Sequence, residues 1–308
     1  MKCLITGASG LLGSEVFKIC KNSIPLSSKD ADLSKTASII EKIAIEEKID
    51  TVVHCAARVG GVKANSDHVA DFFDDNVRMN MNVLDVCKKL NLKLISVLST
   101  CIYPDKDHVT YPLTEDQLHL GPPHPSNFGY AYAKRMLDVQ SRAYRQQFNS
   151  KFITVVPNSL YGPNDNYDLS AGHVIPATIR KFHEAMINND NHVKIWGTGN
   201  PLREFTYSKD AASIILWLAE NYDGIDPINI GNPEQVSIKD LAFLIGHEIG
   251  FKGDIVFDSS KPDGQFKKPS SNKRLLELGW KGSYTPLEKG LKESISWFKN
   301  SYPNIRGV

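Results

Sequence analysis

The chain has 308 residues, 41% hydrophobic and 23% charged, a length and balance suited to one large or two modest globular domains with a sizeable core. A net charge of +1, with no long basic or acidic run, argues against binding nucleic acid or a membrane surface by bulk charge. The five cysteines (Cys3, Cys20, Cys55, Cys87, Cys101) are odd in number and widely spread, without CxxC or Cys/His ligand spacing, so neither a disulfide framework nor a metal site is expected.

Lys2 to Thr6 reads as a strand, and Gly7-Ala8-Ser9-Gly10-Leu11-Leu12-Gly13 turns from it into a helix. Glycines at 7, 10 and 13 permit a tight turn, close approach of backbone to phosphate, and close packing of helix on strand. The helix N-terminus then offers unpaired N–H groups to a pyrophosphate. No Lys-Ser/Thr follows the last glycine, which disfavours a Walker loop. The alternative is a plain glycine turn. Ile24-Pro25-Leu26 makes a poor second strand, since Pro25 suits an edge, a strand start or a bulge. Past it stand Ser27, Ser28 and Lys29, where an acidic residue would accept the 2′-hydroxyl of NAD. Two hydroxyls and a lysine suit a 2′-phosphate, so NADP is the expected cofactor. A polar loop with a solvated lysine is the plainer alternative.

A helical pattern runs from about Lys35 to Lys48. Thr51 to Ala57 is a buried strand ending in small residues, over which a dinucleotide can lie. Gly60-Gly61 is a loop, and Asp71 to Leu90 a long helix. Leu94 to Leu98 is another strand, with Ser99-Thr100-Cys101 at its tip; chemistry in doubly wound folds gathers there. Residues 103–128 read as a loop leading to the helix of Tyr130-Ala131-Tyr132-Ala133-Lys134. Tyr130 and Lys134 lie one turn apart on one face. A free phenol has a pKa of about 10, and a nearby ammonium favours the phenolate, so the pair is an acid/base device for an alcohol or ketone. Ile153 to Pro157 is a further strand, and residues 158–166 a loop. His173 opens a helix, residues 193–196 form a strand, and about 208–220 another helix. Lys261-Pro262-Asp263-Gly264 reads as a turn. Strands alternating with helices through about residue 160 imply a doubly wound, Rossmann-type parallel sheet. No apolar run approaches transmembrane length. The N-terminus enters its first strand at once, leaving no room for a signal peptide, so a reducing cytosol is the expected location.

With Gly7/Gly10/Gly13, Ser99 and Tyr130/Lys134 together, the chain resembles the extended short-chain dehydrogenase/reductases. Within them it is similar to the branch that epimerises and reduces GDP-4-keto-6-deoxymannose. The likeness covers nearly the whole chain, through Val59-Gly60-Gly61, Ser99 to Pro104, Asn127 to Tyr130, Gly172 to Pro176, Trp196 to Gly199 and Lys261 to Phe266. Thr100 stands where that family commonly has a second serine.

The resemblance implies a Rossmann domain over residues 1–165 with a returning segment near 205–231. An intertwined α+β substrate domain is implied over 166–204 and 232–308. It implies NADP(H) as cofactor, a GDP-sugar as substrate and a homodimer. Catalytic roles are implied for Ser99, Cys101, Tyr130, Lys134 and His173. Cys101 is the base and His173 the acid of epimerisation beside a ketone. Ser99 and Tyr130 hold its oxygen. Lys134 binds the nicotinamide ribose and holds down the Tyr130 pKa. Cofactor contacts are implied for Gly7 to Gly13, that is Gly7, Ala8, Ser9, Gly10, Leu11, Leu12 and Gly13. They continue at Ser28 and Lys29, at Ala56 and Ala57, and at Val97, Leu98, Ser99 and Thr100. Tyr130, Lys134, Pro157, Asn158, Ser159, Leu160 and His173 complete them. Lys181, Trp196, Arg203 and Asp263 are the implied nucleotide-sugar contacts.

Each has a plainer alternative. Cys101 suits a core position, His173 a helix cap, Ser99 a strand-end hydrogen bond, Asp263 a turn. Two rival functions remain on the same scaffold. A dehydratase or C4 epimerase is one, although a dehydratase wants a carboxylate where Cys101 stands. A non-catalytic NADP-binding regulator is the other.

Overall fold

The computed structural model describes residues 1–261, 263 and 265–308. The turn expected over 261–264 includes Pro262 and Gly264, which lie outside the described residues. The apolar runs of the first half form strands, each leading to a helix. β1 (Cys3–Thr6) leads to α1 (Leu11–Ile19), β2 (Ser23–Leu26) to α2 (Ser38–Glu46), and β3 (Thr51–His54) to α3 (Val62–Asp67) and α4 (Val69–Lys89). β4 (Lys93–Val97) leads through a long loop to α5 (Phe128–Phe148), followed by β5 (Phe152–Val156) and β6 (Ser159–Tyr161). The second half runs α6 (Val174–Asn188), β7 (His192–Trp196), β8 (Leu202–Tyr207), α7 (Ser208–Asn221), β9 (Ile228–Asn229) and β10 (Gln235–Ser237). It ends with α8 (Ile238–Ile249), β11 (Asp254–Asp258), α9 (Lys273–Glu277) and α10 (Leu287–Ser301).

Six strands form one parallel sheet in the order β2-β1-β3-β4-β5-β9. Alternation along each strand explains the two-sided cover. Cys3, Ile5, Val53, Ile95 and Ile153 point to one face, under Leu12 and Val16 of α1 and Ile214, Ile215 and Leu218 of α7. Leu4, Val52, Leu94 and Phe152 point to the other, under Ile40 of α2, Leu84 of α4 and Leu137 of α5. Strand order reverses between β1 and β3, so the ligand crevice of such a sheet opens outside their carboxyl ends. β2 is the edge strand, which explains Pro25: the residue has no N–H to donate, and no further strand asks for one.

Three local outcomes differ from the sequence expectation. α2 begins at Ser38 rather than Lys35, because the Asp32 carboxylate takes the Ser34 N–H and hydroxyl (3.0 and 2.6 Å) and holds that stretch in a turn. A short helix, α3, follows Gly60-Gly61 where only a loop was expected; Asn65 fastens its start by donating to the Gly60 and Gly61 carbonyls. β6 lies inside the expected loop 158–166 and exists because it pairs with β8, far away in sequence.

The chain leaves the large sheet after β5, builds β6, α6, β7 and β8, and returns with α7 and β9. A second body gathers two small sheets, β10-β8-β6 and β11-β7. Ile179 and Phe182 of α6, Ile245 of α8 and Leu291 and Phe298 of α10 form its core. Between β4 and α5, buried Arg135 pins the long loop to α5 by donating to the carbonyls of Ile102 (2.5 Å) and Gly121 (2.7 Å). Among the described residues no helix is long and apolar enough to cross a membrane.

Candidate active site

The glycine turn sits at the crevice between β1 and β3. Gly7 has φ +69°, in the left-handed region, and a β-carbon there would lie 2.8 Å from the Ala56 nitrogen. A β-carbon on Gly13 would run into the Gly7 carbonyl, so this glycine lets α1 lie against the turn. Gly10 is the N-cap of α1, with no side-chain cap over the first-turn N–H groups. Only the Gly7 carbonyl, at 3.4 Å, lies near the space above Gly10. This is a cradle open to a pyrophosphate, and the turn and crevice fit a dinucleotide. Past β2, Ser28 and Lys29 are exposed. Asp30 is occupied: it accepts from the Ser27 N–H and hydroxyl, both at 2.7 Å, which hold its carboxyl below the usual range. Asp30 thus braces the turn while its charge still attracts Lys29, whose side chain makes no hydrogen bond or ion pair among the described residues.

A buried hydrogen-bond chain ties this crevice to the catalytic helix. The Ala56 N–H donates to Thr6 Oγ1 (3.2 Å), Thr6 faces His54 Nδ1 (2.8 Å), and His54 Nε2 faces Asn80 Oδ1 (3.1 Å). Asn80 Nδ2 donates to the Ala133 carbonyl (3.5 Å). An amide oxygen only accepts, so Nε2 carries the proton and Nδ1 accepts from Thr6. Burial and the Lys134 charge push the His54 imidazole down to about 3, so it is neutral. No local motif marks His54; its role shows only when β1, β3, α4 and α5 come together.

Ser99 lies two residues past β4 and caps a short turn, Thr100–Ile102, by accepting from the Cys101 N–H (3.4 Å). Thr100 N–H donates to the Pro157 carbonyl (3.1 Å), laying the tips of β4 and β5 side by side. From α5, Tyr130 and Lys134 point under this tip, 9% and 2% exposed. Lys134 Nζ donates to the Val97 carbonyl (2.7 Å) and lies 5.8 Å from the Tyr130 ring centre. Phe72 of α4 packs edge-on against that ring. Burial pushes the Tyr130 phenol up from its ordinary value, with the Cys101 thiol adding to it. The phenol is thus raised rather than lowered, and Lys134 is not among the groups that shift it. Lys134 itself is brought down to about 8 by burial, against the pull of Cys101 and Cys55. Tyr130 is held as a neutral O–H, the form that donates a proton.

Cys101 is half-buried, and burial raises its thiol; Lys268, the Ser99 hydrogen bond and Lys134 work in the opposite direction. His173 is the N-cap residue of α6 but its side chain makes no capping bond, so a cap is not its use. It is open to solvent at the cleft surface, yet protein around it, then the Arg306 charge, lowers its pKa. Its loop is docked on the cofactor side by Gly61, whose N–H donates to the Ala171 carbonyl (2.8 Å).

The remaining residues divide clearly. Trp196 is 50% exposed at the end of β7, with Lys181 and Lys261 ammonium groups 5.4 and 5.9 Å from its ring. Arg203 donates to the Leu202 and Phe266 carbonyls, leaving donors of its fork for a ligand. Asp263 accepts from Thr198 N–H (2.6 Å) and Oγ1 (2.8 Å), so both its oxygens already brace a turn. The Asn158 side chain is turned inward, bonded to Glu204, the Asn232 carbonyl and Thr206. Only its backbone is left for a cofactor. Pro157 is buried, whereas Ser159 is exposed and Leu160 half-buried. Lys261 stood in the stretch Lys261 to Phe266 but was given no role of its own in the sequence.

A glycine turn at a switch point, a serine strand tip and a buried Tyr/Lys helix pair define a dinucleotide-dependent dehydrogenase/reductase of the short-chain class. Residues 3–231 match the model of the NAD dependent epimerase/dehydratase family. A GDP-L-fucose synthase of Dictyostelium discoideum is 45% identical over 98% of this chain and 97% of its own length. That of Sinorhizobium fredii is 39% identical over 96% and 94%. A GDP-L-fucose synthetase of Naegleria fowleri, solved bound to NADP, is 41% identical with a TM-score of 0.90, covering 99% of this chain and 94% of its own. The chain belongs to the NAD dependent epimerase/dehydratase family and, within it, to the GDP-L-fucose synthases.

Proposed function

We propose that this protein converts GDP-4-keto-6-deoxymannose to GDP-L-fucose with NADPH, by epimerising C3 and C5 and then reducing C4. The observation that carries the reading is a thiol, Cys101, two residues beyond Ser99 and electrostatically coupled to Tyr130 and Lys134. Simple carbonyl reduction needs a proton donor and has no use for that thiol; proton exchange beside the carbonyl does. Full-length likeness to GDP-L-fucose synthases supports the same substrate.

Ser99 and Tyr130 hydrogen-bond the C4 ketone oxygen and stabilise the enolate that forms when a neighbouring C–H is lost. Cys101 takes each proton and His173 returns one on the opposite face. Tyr130, kept neutral by burial, then gives its proton to O4. Lys134 holds the strand carbonyl of Val97 and presents its charge to the nicotinamide ribose. NADPH, held by the glycine turn with Lys29 on its 2′-phosphate, supplies the hydride for C4. Lys181 and Arg203 bring cations to the diphosphate, and Trp196 an aromatic face to the nucleoside. The cofactor body is mainly residues 1–165 with a return near 205–231, and the substrate body mainly 166–204 and 232–308, β6 and β8 lending their strands to the small sheet of the second body.

We also infer a cytoplasmic homodimer. Its support is the set of apolar side chains exposed on the adjacent helices α4 and α5: Val69, Met81, Phe128, Met136 and Val139. The test of function is incubation with GDP-4-keto-6-deoxymannose and NADPH, followed by product identification. GDP-L-fucose is expected; a 4-hydroxy product with uninverted C3 and C5 overturns the epimerase half.

A further inference from the structure

His173 reaches the cleft at the end of an arm, not at a strand tip. The arm, residues 164–172, is stiff in itself. The Asp168 carboxylate accepts from the Ser170 N–H and hydroxyl (both 2.8 Å) and from the Ala171 N–H (2.7 Å). The Gly172 N–H donates to the Asp168 carbonyl (2.9 Å). Its root is tied on two sides: Asn164 Nδ2 donates to Ser14 Oγ of α1 (3.1 Å), and the Tyr167 N–H to the Arg306 carbonyl (3.0 Å). A stiff, rooted arm still needs a stop at its far end, where His173 caps α6.

That stop is Gly60-Gly61, to which the reaction steps assign no work. The Gly61 N–H donates to the Ala171 carbonyl (2.8 Å). A β-carbon on Gly61 would stand 2.8 Å from the Gly172 carbonyl oxygen, a backbone atom that yields only if the arm moves. Gly61 has φ −67°, open to any residue, so the closeness of the arm, not the backbone angle, calls for glycine. On its other side the pair meets the reducing centre. A β-carbon on Gly60 would stand 3.1 Å from Cζ of Phe72. That buried ring packs edge-on against the Tyr130 ring, centres 6.4 Å apart. The Arg58 guanidinium, paired with Asp75 (2.7 Å) and Asp71 (3.0 Å), lies 5.3 Å from the Phe72 ring centre and braces it. Asn65 holds the pair in place by donating to both glycine carbonyls. A continuous run of contacts thus joins the arm of His173 to Tyr130 through Gly61, Gly60 and Phe72.

We propose that Gly60-Gly61 is a positioning element for His173: it seats the arm so that the imidazole stands at a fixed place relative to Tyr130. This deepens the epimerase reading and rests on it. Removal of a proton is the work of Cys101 and needs no arm, whereas return on the opposite face does. Misplacing a reacting group by about 1 Å costs about 100-fold, so the pair governs inversion and not cofactor binding.

The test incubates the full chain with GDP-4-keto-6-deoxymannose in D2O and scores deuterium entry and inversion at C3 and C5 separately. Gly61→Ala is expected to lower inversion by about 100-fold, while deuterium still enters with retained configuration and NADPH affinity stays native. His173→Asn is the reference and should show the same split. Asn65→Ala, which adds no bulk and releases both glycine carbonyls, should shift the ratio in the same direction. Without any sugar, amide exchange followed by mass spectrometry should quicken over residues 166–173 in Gly61→Ala and stay unchanged over 7–13. Native inversion in Gly61→Ala beside lost inversion in His173→Asn overturns the proposal. Joint loss of inversion, deuterium entry and NADPH affinity makes the pair a structural part of the crevice and overturns it too. Full inversion in His173→Asn removes the acid assignment, and this proposal with it, so the two failures leave different marks.

Discussion

Tyr130 and Cys101 lie within electrostatic reach of one another but answer to different steps. Loss of the phenol oxygen in Tyr130→Phe should cut NADPH-dependent reduction by about 100-fold or more, the usual weight of a general acid. C3 and C5 exchange should persist at a reduced rate, since Ser99 still holds O4. Cys101→Ser should do the reverse: exchange falls by about 100-fold while NADPH binding stays near native. Deuterium exchange and NADPH oxidation, measured separately on each variant, check this; parallel loss of both activities in both variants would reject the division. At the cofactor's other end, the exposed Lys29 side chain makes no hydrogen bond or ion pair among the described residues, and Asp30 is bonded to Ser27. Lys29→Ala should weaken NADPH by roughly tenfold and leave NADH nearly unchanged, one charge-assisted contact being worth that much. Titration of both cofactors decides it, and equal loss for both would remove Lys29 from the 2′-phosphate.

The elements carry these residues by two kinds of device. Local spacing places Tyr130 and Lys134 on one face of α5, and glycine geometry places Gly7 and Gly13 around the turn. Both were legible in the sequence, because one turn of helix and one tight bend involve only near neighbours. The Thr6–His54–Asn80–Ala133 chain was not legible: it joins β1, β3, α4 and α5, and no local pattern announces it. His54→Phe keeps an aromatic volume but orphans the Thr6 hydroxyl and the Asn80 oxygen. It should cost roughly 2–4 kcal/mol by urea unfolding, one to two buried unsatisfied groups. An unchanged midpoint would mean that those groups find other partners. β6 was hidden for a related reason: three residues become a strand only because β8 lies beside them.

At the scale of the molecule, burial sets the charge states. Asp165 is buried, with Oδ2 lacking any partner, and its carboxyl is pushed up to about 7 by desolvation, against the Asn166 N–H and the Arg306 charge. Its folded value lies above the ordinary 3.8, so between the two the folded state holds a proton that the unfolded chain lacks. The favourable contribution is complete below pH ~4 and is lost as pH rises through ~7. Asp165→Asn has no such ionisation, so its melting-temperature advantage over the native protein should grow from pH 5 to pH 8. The ceiling is about 4 kcal/mol, from about 1.4 kcal/mol for each pH unit separating the folded and unfolded values. A gap independent of pH would show that Asp165 is charged in the fold. The exposed apolar side chains of α4 and α5 make a second claim at this scale. The native protein is expected to sediment as a dimer and Met81→Lys with Val139→Lys as a monomer; an equal mass for both would reject this contact.

By itself the sequence determined the class of chemistry. Its carriers are compact: a glycine turn, Ser99 with Cys101 two residues on, and Tyr130 with Lys134 one helical turn on. Such spacings are read by backbone geometry alone. Tertiary structure decided the rest. It turned Tyr130 from an expected phenolate-prone group into a neutral donor, committed Asp263 to a turn and turned the Asn158 side chain inward. The reason is physical: desolvation and charge proximity sum over whatever the fold brings near, and neither leaves a mark in the order of residues.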